Sequence, residues 1–525
     1  MTTPNRHSSR SINFSISILK TLGLLCLGAV ASLIFPPFVN AFFGYLALIV
    51  FLCLLFNKDY NKKQLFARAY AFGFGFFAIG FSWINNALLI DEEKFITFIP
   101  LVICAIGFFF GLFWAIPAIF ITLGRNIYTK TILFCCLFTL MEWIRSFIFT
   151  GFPWNLLGTA LSFNYQLIQP AAYIGTYGLS LLLLIFCCGI SLILLGLKHK
   201  TFYSGSIFFI LIPIIAIILS QQNLTASAET TATKPLTIRL VQPSIPQTFK
   251  WHPALLYKNF RQYIDLTRSK SLDDIDLVIW GETATPYDLD RDTEHLEELV
   301  TAVPPHGFLA TGILRLGMES GKRVLYNSLY ILNHAGEIKD YYDKAHLVPF
   351  GEYLPFRDYL PDFMTPVANV VGELGKGEKQ KQIRVSGLPS MSGAICYESI
   401  FPKETINPES KTKILLIVAN DGWYGISAGP YQHLSAAQMR AVEEGVTVLR
   451  SANTGISAVI NDKGKILSSI PLNEIAIIDT VLPRQLSHPT LYGKAGDSVP
   501  LRLLILLLVL ALVTNKSITH TKKIS

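Results

Sequence analysis

The chain alternates between two textures of apolar and polar positions. From residue 12 to 220, and again over 500–514, long apolar runs lacking Lys, Arg, Asp and Glu are broken by short polar loops. An apolar run of roughly 18 residues or more is long enough to cross a bilayer as a helix. The pattern predicts seven spans, near 14–35, 41–56, 66–88, 96–123, 132–149, 171–197 and 206–220, and an eighth near 499–515. The second and seventh are short. Between 235 and 485 the texture changes to brief apolar stretches bounded by turn residues: 236–242, 275–282, 307–313, 323–332, 392–398, 413–421, 447–453 and 455–462. Helical patterns at 254–270 and 432–445 separate some of them. Strands alternating with helices predict a layered α/β domain. The small, polar stretch 221–234 reads as a linker. The expected organisation is a membrane domain over 1–220, that linker, an α/β domain over 235–485, and a last span with its tail over 486–525.

Composition strengthens this picture. Of 525 residues only 15% are charged, against about 25% in soluble proteins, and the mean hydropathy is +0.44. The chain therefore reads as a polytopic membrane protein with about eight transmembrane helices. Arg6 and Arg10 precede the first span, but its apolar stretch exceeds a signal-peptide core, no clear A-x-A site follows and more spans come after it, so it reads as a retained anchor. Basic residues in short loops set orientation. Arg6, Arg10, Lys58, Lys62, Lys63, Arg125, Lys130, Lys198 and Lys200 fall on one side, joined by Lys516, Lys522 and Lys523, whereas the opposite loops offer only Lys94 among three acids. Both termini are expected in the cytoplasm and residues 221–498 on the far side. The net charge of +8 reflects this bias at least in part, so nucleic acid is not an expected partner. Within the fifth span, Glu142 and Arg145 in "MEWIRSF" share a helix face and read as a local pair.

Topology makes the cysteines informative. Cys26, Cys53, Cys104, Cys135, Cys136, Cys187 and Cys188 lie in predicted spans, which leaves Cys396 in "SGAICYESIF" alone in the exported domain. It has no disulfide partner there. Two readings stand: a small buried hydrophobe at a strand end, or a nucleophile. A free thiol, with a pKa near ~8.5, needs a base and an oxyanion partner from elsewhere in the fold. "LVIWGETATP" places Glu282 just after an apolar strand, and "YYDKAHLVPFGEYLP" places Lys344 and Glu352 either side of a proline-containing turn. Singly, these read as a surface carboxylate and a solvated or paired lysine.

Together, in the order Glu282, Lys344, Cys396, they resemble the Glu-Lys-Cys triad of the nitrilase (carbon–nitrogen hydrolase) superfamily. "DKAHLVPFGEYLP", "CYE", "NDGWYG", "GPYQHLSAAQMRAVE" and "RSANTGISAVI" are similar to motifs of the apolipoprotein N-acyltransferase family of bacterial inner membranes. The likeness covers most of the chain and is strongest over 236–465. The resemblance implies an exported αββα sandwich, in the periplasm, and acyl transfer from a membrane phospholipid. The acceptor it implies is the N-terminal amine of a diacylglyceryl-cysteine apolipoprotein, reached through a thioester. It casts Glu282 as base, Lys344 as oxyanion donor and Cys396 as nucleophile. Glu352 and Glu398 match supporting acidic positions, and Trp251, Trp423 and Tyr424 match aromatic positions around the cleft. The family commonly has a proline before the catalytic glutamate; Gly281 there is expected to loosen the turn while leaving the carboxylate in place.

Other readings compete. "GISAG" (425–429) matches the G-x-S-x-G elbow and would make Ser427 a nucleophile, but "NDGWY" separates it from the strand and Pro430 follows. A membrane-tethered amidase would pass the acyl group to water, and a transporter or assembly factor would carry an inactive domain. His252, His346 and His433 stand apart in sequence, so no metal and no other cofactor are expected. The oligomeric state is left open, with a monomer admissible.

Overall fold

The computed structural model describes residues 6–91, 95–199, 205–225, 235–319, 321–355, 373–483 and 489–521. Lys94, Lys200, Lys522, Lys523, the expected linker from 226 to 234 and the expected boundary at 485 lie outside them. The chain forms two compact units, Met1–Phe163 with Thr176–Ser220 and Ser498–Ser525, and Asn164–Gly175 with Gln221–Asp497.

The first unit is helical. Among the described residues, six helical segments are long and apolar enough to cross a membrane: Ser17–Ile34, Phe38–Phe56, Ile96–Leu123, Ile127–Ile144, Ala171–His199 and Ser206–Leu224. Lys62–Gly80 and Ser82–Leu88, bent by 41°, make a seventh if they are one span, and Ser498–Val513 is a shorter apolar helix. The protein is thus a multi-pass membrane protein. Close approach is built on small residues, as lipid requires. A Cβ on Gly28 would lie 1.9 Å from the Phe72 carbonyl oxygen, and one on Gly75 1.9 Å from that of Leu25.

The fifth span ends at Ile144, short of the expected 149, and further along Phe149, Thr150 and Gly151 take positive φ, outside any helix geometry. The freed main chain is satisfied by the two buried ionisable side chains of "MEWIRSF". Glu142 Oε1 accepts from Leu157 N at 2.7 Å, and Arg145 donates to the carbonyls of Phe152 and Trp154 at 2.8 and 2.7 Å. Irregular backbone at membrane depth persists where protein groups satisfy it.

The second unit contains two six-stranded sheets. The first runs in the order β12 (Ala476–Val481), β1 (Thr237–Gln242), β2 (Leu277–Ile279), β3 (Phe308–Glu319), β4 (Lys322–Asn333), β5 (Ile338–Asp343). The second runs β11 (Ile466–Ile470), β10 (Ser457–Ile460), β9 (Thr447–Ala452), β8 (Ile414–Ala419), β7 (Met391–Ile395), β6 (Gln382–Ile383). Pairs β1–β2–β3 and β7–β8–β9 are parallel. Such pairs need crossovers, supplied in part by helices Leu256–Thr267, Thr293–Val300 and Gly429–Glu444.

Side-chain alternation assigns each face. Ile238, Leu240, Leu277, Ile279 and Leu329 meet Met391, Ile395, Leu416, Val418 and Leu449 between the sheets. Val241, Val278 and Leu309 turn instead to Phe260, Ile264 and Leu299 of two helices. Leu415, Ile417 and Val448 turn to Leu434, Ala437 and Ala441 of the third. The result is the nitrilase-like αββα sandwich.

Candidate active site

Strand direction gathers the polar residues. Two antiparallel reversals, β3 to β4 and β4 to β5, return β5 to the direction of β1–β3. Glu282 after β2 and Lys344 after β5 therefore leave the carboxyl ends of strands, as Cys396 leaves β7 and Tyr424 follows β8. That edge is where open α/β sheets place ligands.

All three sequence-predicted central residues are buried and come together. Lys344 Nζ lies 2.8 Å from Glu352 Oε1 and 3.5 Å from Glu282 Oε1. Asn327, in β4, donates to Glu282 Oε1 at 2.8 Å and stands 3.3 Å from Glu352 Oε1. The second Glu352 oxygen accepts from Val348 N at 2.8 Å, closing the turn that carries it. Cys396 has φ +52°, a left-handed conformation that costs a non-glycine residue about 1–3 kcal/mol. Burial pushes its thiol up, Glu282 adds to that, and Lys344 opposes both. The same ion pairs with Glu352 and Glu282 override burial and hold Lys344 above the ordinary lysine range. The lysine is a fixed cation and the thiol is resting in its protonated form.

Glu398 is not placed as a partner of the thiol. Its Oε1 accepts from Tyr342 Oη at 2.8 Å and from the amides of Ala345 and His346 at 2.8 and 2.9 Å, and its Oε2 from Ile395 N at 2.7 Å. One carboxylate thus ties the backbone just after Lys344 to the backbone just before Cys396. A Cβ on Gly281 would stand 2.7 Å from Asn453 N, so the chain passes too close there for a side chain.

Tyr424 is half-buried with its hydroxyl 3.9 Å from Cys396 Sγ, while Trp251 and Trp423 are exposed on the loops after β1 and β8. Ser427 is engaged locally, donating to Tyr424 O at 2.7 Å and accepting from Gly429 N at 3.1 Å.

Sequence separation concealed three further groups. Asn327 is one. Another is Asp421–His433–Arg450: Asp421 binds His433 Nδ1 at 2.8 Å and Arg450 at 2.6 Å, and His433 Nε2 lies 2.8 Å from Ser399 Oγ and 2.9 Å from the Cys396 carbonyl oxygen. Cys396, Asp421 and His433 bring one potential metal-ligand atom each within 4.8 Å of one another. The donor set does not suit a cation, because the Arg450 guanidinium already occupies Asp421. The third is Lys250, whose Nζ donates to the Glu282 carbonyl oxygen at 2.7 Å. Its proximity to Trp251 in "FKW" was the one signal in the sequence.

Residues 27–189 match the family model described as the apolipoprotein N-acyltransferase N-terminal domain, and residues 237–490 match that of carbon-nitrogen hydrolases. An apolipoprotein N-acyltransferase of Brucella melitensis is 34% identical over 514 residues, covering 94% of this chain and 95% of that protein. One from Rickettsia bellii is 33% identical over 509 residues, covering 95% and 99%. A nitrilase-superfamily protein of Saccharomyces cerevisiae of known structure aligns with 49% of this chain and 93% of its own, at 19% identity and a TM-score of 0.35.

Proposed function

Because the chain belongs to the apolipoprotein N-acyltransferase family, we propose that it moves a fatty acyl chain from a membrane phospholipid to the N-terminal amine of a diacylglyceryl-cysteine lipoprotein, by way of a thioester on Cys396. The observation that carries this reading is the convergence on one buried thiol of a carboxylate and a carboxylate-held lysine.

In the first half-reaction Glu282 takes the Cys396 proton and the thiolate adds to the ester carbonyl carbon of the phospholipid. Lys344 Nζ faces the oxyanion, a preorganised donor worth several kcal/mol (about 3–4). The tetrahedral intermediate collapses, the ester C–O bond breaks, and the leaving alkoxide receives the proton from Glu282. Lysophospholipid departs and the acyl thioester remains. In the second half the neutral α-amine attacks the thioester carbon, Glu282 takes the amine proton, and the C–S bond breaks as the thiolate regains a proton. The amide forms at the expense of the thioester, so no nucleotide is consumed. Glu352 orients Lys344, Glu398 holds the two backbone segments in register, and Trp251, Trp423 and Tyr424 border the lipid.

The cationic loops at Lys58, Lys62, Lys63, Arg125, Lys130 and Lys198 support cytoplasmic termini, with residues 235–485 as the periplasmic catalytic domain of an inner-membrane enzyme. The test is to purify the full chain, add phospholipid and a diacylated lipopeptide, and follow the lipopeptide by mass spectrometry. The expected product gains one acyl chain, and Cys396→Ala abolishes it. Free fatty acid without triacylated product would support the tethered hydrolase instead. Survival of activity in Cys396→Ala but not in Ser427→Ala would move the nucleophile to the serine.

A further inference from the structure

The site holds two buried lysines, and they are kept in different ways. Lys344 sits between two carboxylates. Lys250, the last residue of the helical turn Gln247–Lys250, is just as enclosed, yet among the described residues its Nζ has a single hydrogen-bond acceptor, the main-chain carbonyl of Glu282 at 2.7 Å. The turn is pinned in place. Asn259 donates to the carbonyl of Phe249 at 2.9 Å, and Asn420, just past β8, donates to Gln247 at 2.7 Å. An ammonium is thereby held in the interior next to the proposed base, with no carboxylate of its own among the described residues.

We propose that Lys250 is a second cation of the active site, an electrostatic positioning residue whose charge beside Glu282 and Cys396 favours the thiolate and the oxyanion. The proposal rests on the reading of Cys396 as the nucleophile.

Charge counting gives the reason. The groups facing the thiol are Glu282, Lys344, Asp421 and the Tyr424 hydroxyl, with Glu352 behind Lys344 and Arg450 and His433 behind Asp421. Asp421 is matched by Arg450, and Glu398 is spent on four donors. Glu282 and Glu352 against Lys344 alone leave one excess negative charge around the thiol, and it passes from Glu282 to sulfur when Glu282 takes the Cys396 proton. Lys250 brings that sum to zero. Burial lowers its own pKa to about 8 while Glu282 and Cys396 pull it back up, so the ammonium persists at neutral pH.

The test uses the full-length enzyme in detergent and measures the rate of iodoacetamide alkylation on the peptide containing Cys396 across pH. Lys250→Met is expected to move the midpoint to higher pH by about one unit, and so to slow alkylation about tenfold below it. Lys250→Gln keeps a donor to the Glu282 carbonyl without the charge and is expected to behave like Lys250→Met. It also serves if the methionine variant does not fold. Lys250→Arg is expected to restore the wild-type midpoint to within about 0.3 units. A midpoint unchanged in the neutral variants, even with acyl transfer lost, overturns the proposal and leaves a structural role. So does recovery in Lys250→Gln. Failure of the nucleophile reading has its own signature, acyl transfer surviving in Cys396→Ala, which alkylation kinetics would not mimic.

Discussion

Glu142 and Arg145 in the helical unit are as deeply buried as Glu282 and Lys344 in the sandwich, at 3% and 2% exposure against 7% and 1%. Their polar atoms go to different places. Glu142 and Arg145 reach the main chain of residues 152–157, beyond the end of a helix. Glu282 and Lys344 reach each other, Asn327 and Glu352, and they flank a thiol that no carbonyl or carboxylate among the described residues has claimed. Buried charge alone therefore does not mark chemistry. What separates the two clusters is whether the ionised groups end on backbone or converge on a side chain able to form a bond. Within the sandwich the same contrast recurs, because Glu398 is a buried carboxylate spent on three amides and a phenol while Glu282 keeps one oxygen near Lys344.

Substitutions can break this distinction if it is wrong. Cys396→Ala carries the largest expected effect, a loss of acyl transfer of at least about 10⁴-fold, measured as triacylated lipopeptide formed per minute. Lys344→Met and Glu282→Gln follow, each expected to slow thioester formation about 10²–10³-fold in single-turnover assays, the lysine variant with a loss of stability as well because Glu282 and Glu352 lose their buried cation. Glu142→Ala is expected to do the reverse. It strands the Leu157 amide and the Arg145 charge, costs about 2–3 kcal/mol in stability, and leaves the pH profile of Cys396 alkylation in place. Glu398→Ala falls between them, with lost stability of similar size and slowed acylation together, because it releases four donors that position both Lys344 and Cys396. A Glu142 variant that melted normally yet lost acylation selectively would erase the contrast.

The smallest predicted effect concerns pH. Lys250 has a folded pKa lowered to about 8, against about 10.4 in an unfolded chain. Between those values the unfolded state binds more protons, so this group's contribution to stability rises with pH over that window and is absent below it. Melting temperatures of wild type and Lys250→Met, taken from pH 7.5 to 10, are expected to diverge by about 2–4 °C, with the wild type gaining as pH rises.

Much of this was legible in the chain itself, for identifiable reasons. Strands β1–β4 and β7–β10 are apolar because they are buried between layers, so they stand out. Strands β5, β11 and β12 line sheet edges with exposed or half-exposed residues, and β6 has two residues, so their apolar signal is weak. Cys396 and Glu282 were visible as polar residues closing apolar strands, and Lys344 through the motif "DKAHLVPFGEYLP". Asn327 was not, because the short polar step Asn327–Ser328 in "LYNSLY" carries no motif that marks it for chemistry. Lys250 reads as a surface cation until the fold encloses it, and His433 lies between Asp421 and Arg450 in sequence, on a helix whose spacing gives no sign that the three meet. The end of the fifth span was misplaced because Phe147, Ile148 and Phe149 continue the apolar run after the helix has stopped at Ile144.

The central claim is that Cys396 carries the acyl group. The most direct measurement mixes the purified protein with phospholipid bearing an isotope-labelled acyl chain, isolates the protein, and maps the label by mass spectrometry before and after adding diacylated lipopeptide. The account predicts label on the Cys396 peptide, lost to neutral hydroxylamine and transferred to the lipopeptide amine. Label that never appears on Cys396 while lipopeptide still gains its third chain would contradict it.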